Sequence, residues 1–300
     1  MVRLITTVLP EGRLLHTSEN RKICASRRSL LLAMEEGRIL EGHVLLCGAD
    51  HSLIVRVGSF IGSIPRSETA LGIKEGTTRD IAILSRVGKP ISFMVDAVEG
   101  PSSAPTLRLS RRRAQEAALQ YIFSNWEKGM IIPATVTHLE SFGAFVDIGC
   151  GIPSMIGIEN LSISRIPHPG CRVHPGQNIS ALITGFDRKM NRVLLSHKEL
   201  LGTWLENASR LSPGMTVVGY VRSIKEYGAF IELFPNLSGL AETKEPLNEG
   251  DRVSVYIKSI LPDRHKIKLR ILERLSPEET PPQLYYFHQS GILEDWHYIS

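Results

Sequence analysis

One segment of this 300-residue chain is repeated, and the repeat limits the possible folds more than any other feature. Residues 129–147 read GMIIPATVTHLESFGAFVD, and residues 214–232 read GMTVVGYVRSIKEYGAFIE. Equivalent positions here, such as Phe142 and Tyr227, differ by 85. Further along, we match Asp187 with Asp263 at a difference of 76, which gives the first copy nine more residues. Insertions are tolerated in loops, so we expect these residues to form a loop.

Each copy has the pattern of a small β-barrel. Short alternating segments rich in Val, Ile and aromatic residues are separated by Gly, Asp and Pro, without a long stretch of helical periodicity. A fainter third copy lies upstream, where residues 42–58 show the same order of strand, turn and strand. Its far end, residues 107–110, corresponds to residues 193–196. The sequence therefore predicts a mainly β chain with three tandem barrels.

The segments between the copies have helical character. Residues 111–126 place small and aromatic side chains on one stripe, residues 196–211 do the same, and residues 29–36 form a shorter helix. We interpret the first two as linker helices that pack against a neighbouring barrel. The predicted organisation is an N-terminal segment (1–36), a degenerate barrel (37–112), a linker helix (113–127), a barrel (128–198), a linker helix (199–212), a barrel (213–274) and an acidic aromatic tail (275–300).

The charge of the chain is unevenly distributed. Its net charge is +4, but residues 276–300 contain four acids and neither Lys nor Arg, so the body before them is basic. A 42% share of hydrophobic residues is enough for a packed core. The four cysteines are irregularly spaced, which is typical of reduced thiols in a cytosol. With neither an uncharged run of 18 apolar residues nor a recognisable signal peptide, we expect a cytoplasmic monomer without membrane contact.

The ordered elements of the repeat resemble a known family. The strand ending in FGAFVD, the Pro-Gly-Gln at 175–177 and the closing residues 187–196 resemble the S1 RNA-binding domain of bacterial small-subunit ribosomal proteins. Residues 227–232, 248–253 and 263–269 repeat that resemblance, which covers about residues 37–274. The whole chain is similar to the shorter, Gram-positive form of the family. The resemblance implies five-stranded barrels of the OB-fold type.

A surface that binds single-stranded RNA of many sequences needs exposed aromatic faces beside basic side chains. The repeat supplies an aromatic pair in each of the last two barrels, and basic residues near the closing strands are candidates for phosphate contacts. One ring of each pair could instead belong to the core, since aromatic residues in small barrels are usually packed inside. The predicted RNA-binding residues are Phe142, Phe145, Asp187, Arg188, Lys189 and Arg192 in the second barrel, and Tyr227, Phe230, Arg264, Lys266 and Lys268 in the third.

The chain departs from the family pattern at one strand. The family often has a His there, but the second barrel reads SMIG at 154–157 and the third reads GLAE at 239–242. Since Glu242 would repel phosphate, we expect the second barrel to bind RNA better than the third. In the first barrel, residues 51–54 replace the aromatic pair and Thr106 replaces Arg192. The resemblance implies that such a leading barrel docks to the small ribosomal subunit.

A metal site and an enzymatic function are the two alternatives to RNA binding. His and Cys are ligands that zinc prefers, but the spacing of the candidates matches no common zinc finger, and we predict no metal. These candidates are Cys150, His168, Cys171 and His174. Three barrels with their linkers use nearly the whole chain, and the sequence lacks a phosphate-binding loop, a nucleophile elbow and a HExxH motif. We therefore predict a protein that is not an enzyme and has no cofactor.

The tail contains five of the 19 aromatic residues of the chain, a density unlike that of a disordered acidic segment. We expect it to fold back on the third barrel or a linker helix, although a docking strand for a partner and a cover for the basic face are alternatives. As a whole, the sequence predicts a single-stranded RNA-binding protein that brings messenger RNA to the small ribosomal subunit. The alternative is an RNA chaperone, decay factor or regulator that works without the ribosome.

Overall fold

The computed structural model describes residues 8–101, 105–242, 246–276 and 284–299. The chain divides into two compact units. Unit 1 consists of residues 1–126 and 147–153, and unit 2 consists of residues 127–146 and 154–300. Across the described ranges the strands close into three five-stranded barrels, with short helices between them. The predicted mainly β fold of three OB-type barrels is confirmed.

The first barrel lies in unit 1. Two helices precede it, and a helix whose first turn is capped by the Ser110 hydroxyl follows its last strand. The strands are joined in the order β1-β2-β3-β5-β4, with β3 and β5 parallel. The elements are α1 (Ser18–Ile23), α2 (Arg27–Glu35), β1 (Leu40–Cys47), β2 (Leu53–Val57), β3 (Phe60–Ile64), α3 (Ile81–Leu84), β4 (Pro90–Glu99), β5 (Thr106–Ser110) and α4 (Arg111–Asn125).

The second barrel has the same connectivity, with β8 and β10 parallel. A short helix and a 3₁₀ turn lie between its third and fourth strands. Its elements are β6 (Ile131–Glu140), β7 (Gly143–Asp147), β8 (Pro153–Gly157), α5 (Ile158–Leu161), β9 (Asn178–Asp187) and β10 (Arg192–Ser196).

The third barrel follows a short helix that begins with a capping box, in which Thr203 and Glu206 each bond the other's backbone N–H. Its strands β13 and β15 are parallel, as the corresponding strands are in the other barrels. The elements are α6 (Trp204–Ala208), β11 (Thr216–Lys225), β12 (Gly228–Phe234), β13 (Leu237–Ala241), β14 (Arg252–Leu261) and β15 (Lys266–Leu275).

The strand registers correct the alignment of the two main repeats. Leu194 pairs with Met155, and Lys268 pairs with Leu240, so the closing strands differ by 74 positions instead of 76. Asp263 is therefore not equivalent to Asp187. The second barrel has 85 minus 74, or 11, additional residues, and all of them lie between β8 and β9. The predicted loop insertion is present and contains α5 and a 3₁₀ turn.

The described part of the tail, residues 284–299, folds back on unit 2. Four backbone hydrogen bonds attach it to the start of β6 and to the linker before β11, and none of the four reaches β15, which carries the predicted basic residues. These bonds run from Phe287 N to Leu200 O (2.9 Å), from Ile131 N to Gly291 O (2.9 Å), from Leu293 N to Gly129 O (2.8 Å) and from Trp204 N to Tyr298 O (3.0 Å).

Side-chain contacts also hold the tail. The guanidinium of Arg210 lies 4.0 Å from the ring centroid of Phe234 and 4.6 Å from that of Tyr285, so the cation joins a tail ring to the third barrel. The Tyr298 hydroxyl donates a hydrogen bond to the carbonyl of Asn236 (2.6 Å). Burial raises the pKa of Tyr298 to about 12, so this hydroxyl keeps its proton at neutral pH.

Acidification should lower the free energy of unfolding of unit 2, because of a buried histidine that contacts the tail. His197 Nδ1 donates to the Leu161 carbonyl (3.3 Å), which leaves Nε2 to accept from the Tyr286 hydroxyl (3.0 Å). Burial lowers the pKa of His197 to about 4, whereas an unfolded His titrates near 6.5. Because the unfolded state then binds a proton that the folded state does not, stability falls between about pH 6.5 and 4. We expect a loss of roughly 3 kcal/mol from this residue.

Urea unfolding followed at pH 7.5 and 4.5 measures this effect. A His197→Gln variant is the control, because its amide both donates and accepts but does not titrate in this range. The variant should lose less stability on acidification than the unaltered chain does. Equal losses in the two proteins would contradict the prediction.

Candidate nucleic-acid interface

The predicted aromatic pair of the second barrel lies at its surface. Ala144 and Val146 are buried, and strand alternation therefore turns Phe145 outward. Phe142, just before the strand, has 54% of its surface exposed. The two ring centroids are 6.1 Å apart with an interplanar angle of 80°, an edge-to-face arrangement. Gly143 lets the chain pass close to β8, because a Cβ there would lie 2.6 Å from the Ile156 carbonyl oxygen.

The pair in the third barrel has nearly the same geometry. The ring centroids of Tyr227 and Phe230 are 6.3 Å apart at 84°, and Tyr227 is 62% exposed. Gly228 between them has φ +144°, and a Cβ there would lie 2.4 Å from the Ala241 carbonyl oxygen. The Phe/Tyr-Gly-Ala-Phe sequence thus produces the same outward pair twice, because only Gly allows this approach to the next strand.

The second ring of each pair belongs to a row of outward side chains that crosses neighbouring strands, which we call the cross-strand row. In the third barrel, strand registers pair Ser223 with Phe230, Phe230 with Leu240, and Leu240 with Lys268. The repeat offsets place His138, Phe145, Met155 and Leu194 at the same positions of the second barrel. Met155 and Leu194 are both exposed, so the row of the second barrel is apolar at the place where the third ends on a lysine.

Sequence reasoning missed Met155, Leu194 and His138 as surface residues of this face. Strand alternation in β8 and β10 was the available signal for the first two, since their neighbours along each strand are buried. His138 lies on β6 and stacks on Phe145, with ring centroids 4.3 Å apart and an interplanar angle of 8°. The second barrel thus has an imidazole beside its aromatic pair, supplied by a different strand from the one on which the family often has its His.

The basic candidates of the second barrel lie around the turn between β9 and β10. Arg188, Lys189 and Arg192 are exposed, and Arg192 is opposite Asp187 in the strand register. The Asp187 carboxylate accepts hydrogen bonds from the backbone N–H groups of Lys189 and Met190, each at 3.1 Å. This carboxylate shapes the turn that carries the cations.

In the third barrel, exposed basic residues alternate along β15. Lys266, Lys268 and Arg270 are exposed, while Ile267 and Leu269 between them are buried. Arg264 lies in the 3₁₀ turn before the strand and is also exposed. The structure therefore brings Lys268 into the cross-strand row of Phe230, with Lys266 and Arg270 on the same face of the strand.

The first barrel carries different residues in this row. Ile54 pairs with Leu46 on one side and with Ser63 on the other, which is the register that Phe230 has in the third barrel. Arg108 follows at the end of the row, paired with Ser63. The strand register thus places Ile54 where the other two barrels have a phenylalanine.

An acidic residue recurs at equivalent positions of the second and third barrels, as Asp147 and Glu232. Each of the two carboxylates accepts hydrogen bonds within its own unit. In unit 1, Asp147 accepts from the backbone N–H groups of Glu11 (2.7 Å), Gly149 (2.8 Å) and Gly151 (3.0 Å). Burial, together with the Glu11 carboxylate, raises the pKa of Asp147. In unit 2, Glu232 accepts from a fully buried arginine, Arg172. Both carboxylates therefore anchor segments that lie outside their own strand.

Arg172 comes from the 11-residue insertion of the second barrel and reaches the third barrel. Its Nη2 donates to Glu232 Oε2 at 2.6 Å and to Ser162 Oγ at 2.9 Å, while Arg222 donates to both oxygens of Glu232 at 3.0 and 3.1 Å. Among the described residues, Arg172 Nε has no hydrogen-bond partner. Burial lowers the pKa of the Arg172 guanidinium, and Glu232 partly offsets that effect. The insertion therefore joins two barrels through a buried Arg-Glu-Arg cluster.

The four metal candidates are not grouped as a ligand set. Within the described ranges, no three His, Cys, Asp or Glu side chains are close enough together to hold a metal ion. Cys150 is buried in unit 1, and burial raises the pKa of its thiol. In unit 2, His168 Nδ1 accepts from the Gly170 N–H at 3.0 Å, Cys171 ends that 3₁₀ turn, and His174 is exposed. In the same ranges, no helix is long and apolar enough to cross a membrane.

Comparisons with known proteins agree with the geometry of the second barrel. Residues 126–198 match the family model of the S1 RNA binding domain. The chain is 30% identical over 255 residues to small ribosomal subunit protein bS1 of Leuconostoc lactis, covering 79% of this chain and 57% of that protein. It is 31% identical over 210 residues to the bS1 homolog of Bacillus subtilis, covering 65% and 53%. The bS1 protein of Neisseria meningitidis is 29% identical over 268 residues, covering 84% and 46%.

The chain has three closed five-stranded barrels across its described ranges, and the second of them matches the S1 RNA binding domain model. Over most of its length the chain is similar to small ribosomal subunit protein bS1, and the resemblance inferred from the sequence is confirmed. The chain spans about half the length of the relatives that it matches.

Proposed function

We propose that this chain binds single-stranded RNA without a catalytic step, through the cross-strand rows of its second and third barrels. The observation that carries the proposal is the recurrence of one geometry, an exposed edge-to-face aromatic pair beside exposed basic residues, in two barrels. Bases of any sequence stack on such rings, and cations contact the phosphates, so the binding should tolerate many sequences. The predicted site residues, including Asp187 and Arg264, belong to this proposal.

We further propose that the RNA is messenger RNA and that the chain brings it to the small ribosomal subunit. Support comes from the relatives, whose names place them in that subunit. The first barrel, with aliphatic residues in its row, is proposed to dock to the subunit while the other two hold RNA. On this proposal the chain works in the cytoplasm as a monomer.

Fluorescence anisotropy with a labelled single-stranded RNA tests the binding itself. We expect affinity to fall as salt rises from 50 to 200 mM, because phosphate contacts release counterions. Oligomers of different sequence should bind with similar affinity, and a fully paired duplex should bind more weakly because its bases are not free to stack. The proposal fails if the duplex binds as well as the single strand does.

Co-sedimentation with small ribosomal subunits tests the place of binding. The full chain should pellet with subunits at physiological salt, and a variant without residues 1–110 should stay in the supernatant because it lacks the docking barrel. Its affinity for free single-stranded RNA, measured in parallel, shows whether unit 2 remains folded. If that affinity is kept and the shortened variant still pellets, the docking role of the first barrel is wrong.

A further inference from the structure

The second barrel differs from the third at one ring of the proposed RNA surface. His138 and Ser223 occupy equivalent positions, 85 residues apart, each beside the second aromatic residue of its pair. His138 is exposed and stacks in parallel on Phe145, while Phe142 contacts Phe145 edge-on. One face of Phe145 is thereby covered by imidazole. A base that approaches this face meets His138 instead of the phenyl ring.

The hydrogen bonds around His138 assign its neutral tautomer. The Thr137 hydroxyl donates its single proton to the Phe145 carbonyl oxygen at 3.2 Å. Thr137 Oγ1 is also 3.2 Å from His138 Nδ1, and since the hydroxyl proton is already used, this oxygen accepts and Nδ1 carries the hydrogen. Nε2 is therefore the acceptor nitrogen of an exposed ring. The side chain offers both a stacking face and a hydrogen-bond acceptor.

We propose that His138 is a third stacking and specificity residue of the second barrel, which extends the Phe142 and Phe145 pair and accepts a hydrogen bond from bound RNA through Nε2. This inference rests on the proposed RNA-binding function. The donor is either the ribose 2′-hydroxyl, which DNA lacks, or the exocyclic amino group of adenine, cytosine or guanine. The third barrel cannot do the same, because the side chain of Ser223 is too small to stack on a base.

Three variants of the full chain separate these contributions. His138→Ser gives the second barrel the residue that the third has, and it should weaken single-stranded RNA binding by about fivefold to a hundredfold, the effect of losing one stacked base. His138→Phe keeps a ring but has no acceptor. Ser223→His, the reciprocal change, should strengthen binding by several fold if a ring at this position is sufficient. His138 is exposed and Ser223 is partly exposed, so thermal unfolding should change little in all three variants.

The relative affinity for RNA and DNA of the same sequence tests the acceptor role, because a purely structural role of His138 would not change it. If Nε2 accepts from the 2′-hydroxyl, His138→Phe should bind DNA as the unaltered chain does but lose its preference for RNA of the same sequence. If Nε2 accepts from a base amino group, His138→Phe should instead lose a preference for A, C and G over U, the base without an amino group. Loss of either preference supports the acceptor role, and retention of both overturns it.

Phe142→Ala serves as the reference that keeps the two proposals apart. If Phe142→Ala weakens RNA binding and His138→Ser does not, the barrel binds RNA without His138 and this inference is wrong. If the unaltered chain fails to bind single-stranded RNA, the proposed function is wrong and the role of His138 is rejected with it. Weakening by both variants, with folding unchanged, supports both proposals.

Discussion

Replacement of Glu232 by Ala is expected to destabilise unit 2 by about 3–5 kcal/mol, although the residue is not on the proposed RNA surface. Its carboxylate is 2% exposed and is the anionic partner of both Arg172 and Arg222. Arg172 is fully buried, and without Glu232 its charge would lie in a nonpolar interior with only neutral acceptors, the Ser162 hydroxyl and the Cys171 and Pro235 carbonyls. Urea unfolding followed by tryptophan fluorescence, to which Trp204 in the core of the third barrel contributes, measures the loss.

A double-mutant cycle with Arg172 shows whether the charge itself is responsible. Removal of both charges, in Arg172→Met with Glu232→Ala, should cost less than the sum of the two single changes, because the fully buried charge of Arg172 is no longer left without its anionic partner. Glu242→Ala is a matched control, since this acid is exposed near the end of the neighbouring strand. A loss below 1 kcal/mol for Glu232→Ala, or strict additivity in the cycle, would show that the cluster is not a stabilising unit.

The barrels were predictable from the sequence because the residues that determine each strand and turn lie close together in the chain. Alternation in β7 and β12 decides which side chains face outward, and Gly143 and Gly228 mark the close approach to the next strand. These features recur at a fixed offset, so one copy supports the interpretation of the other. The match of Asp187 with Asp263 was wrong because residues of the same type were aligned across a turn. Strand register, and not residue type, determines which positions are equivalent there.

The partner of Arg172 could not be predicted from the sequence. It lies 60 positions away in another barrel, and nothing in the 11-residue insertion indicates which acid it will meet. His138 was missed for a related reason, since a single exposed His on a strand has no pattern until the neighbouring strand places Phe145 beneath it. The tail shows the same limit: its aromatic content predicts that it folds back, but the contacts of Tyr285 and Tyr286 with Arg210 and His197 depend on the tertiary structure.

Replacement of Phe142 and Phe145 together by Ala should weaken single-stranded RNA binding by roughly 2–5 kcal/mol, since Phe142 supports one stacked base and Phe145 holds the imidazole on which a second base stacks. Phe142 is 54% exposed and contributes little to the core, so the loss should appear in affinity and not in the unfolding temperature. Part of the effect of Phe145 should come through His138, which loses the ring on which it stacks. Anisotropy titrations at constant salt measure the change.

The equivalent change of Tyr227 and Phe230 is the internal comparison, and Leu205→Ala, an exposed apolar residue on α6, is the control for surface substitution. We expect the third-barrel change to cost less, because its row has no imidazole and the exposed Glu242, directly after β13, would repel phosphate. If the third-barrel change proves the more damaging one, the second barrel is not the principal RNA contact. If neither change alters affinity while both variants stay folded, stacking on these rings does not drive binding and the charged residues alone would have to account for it.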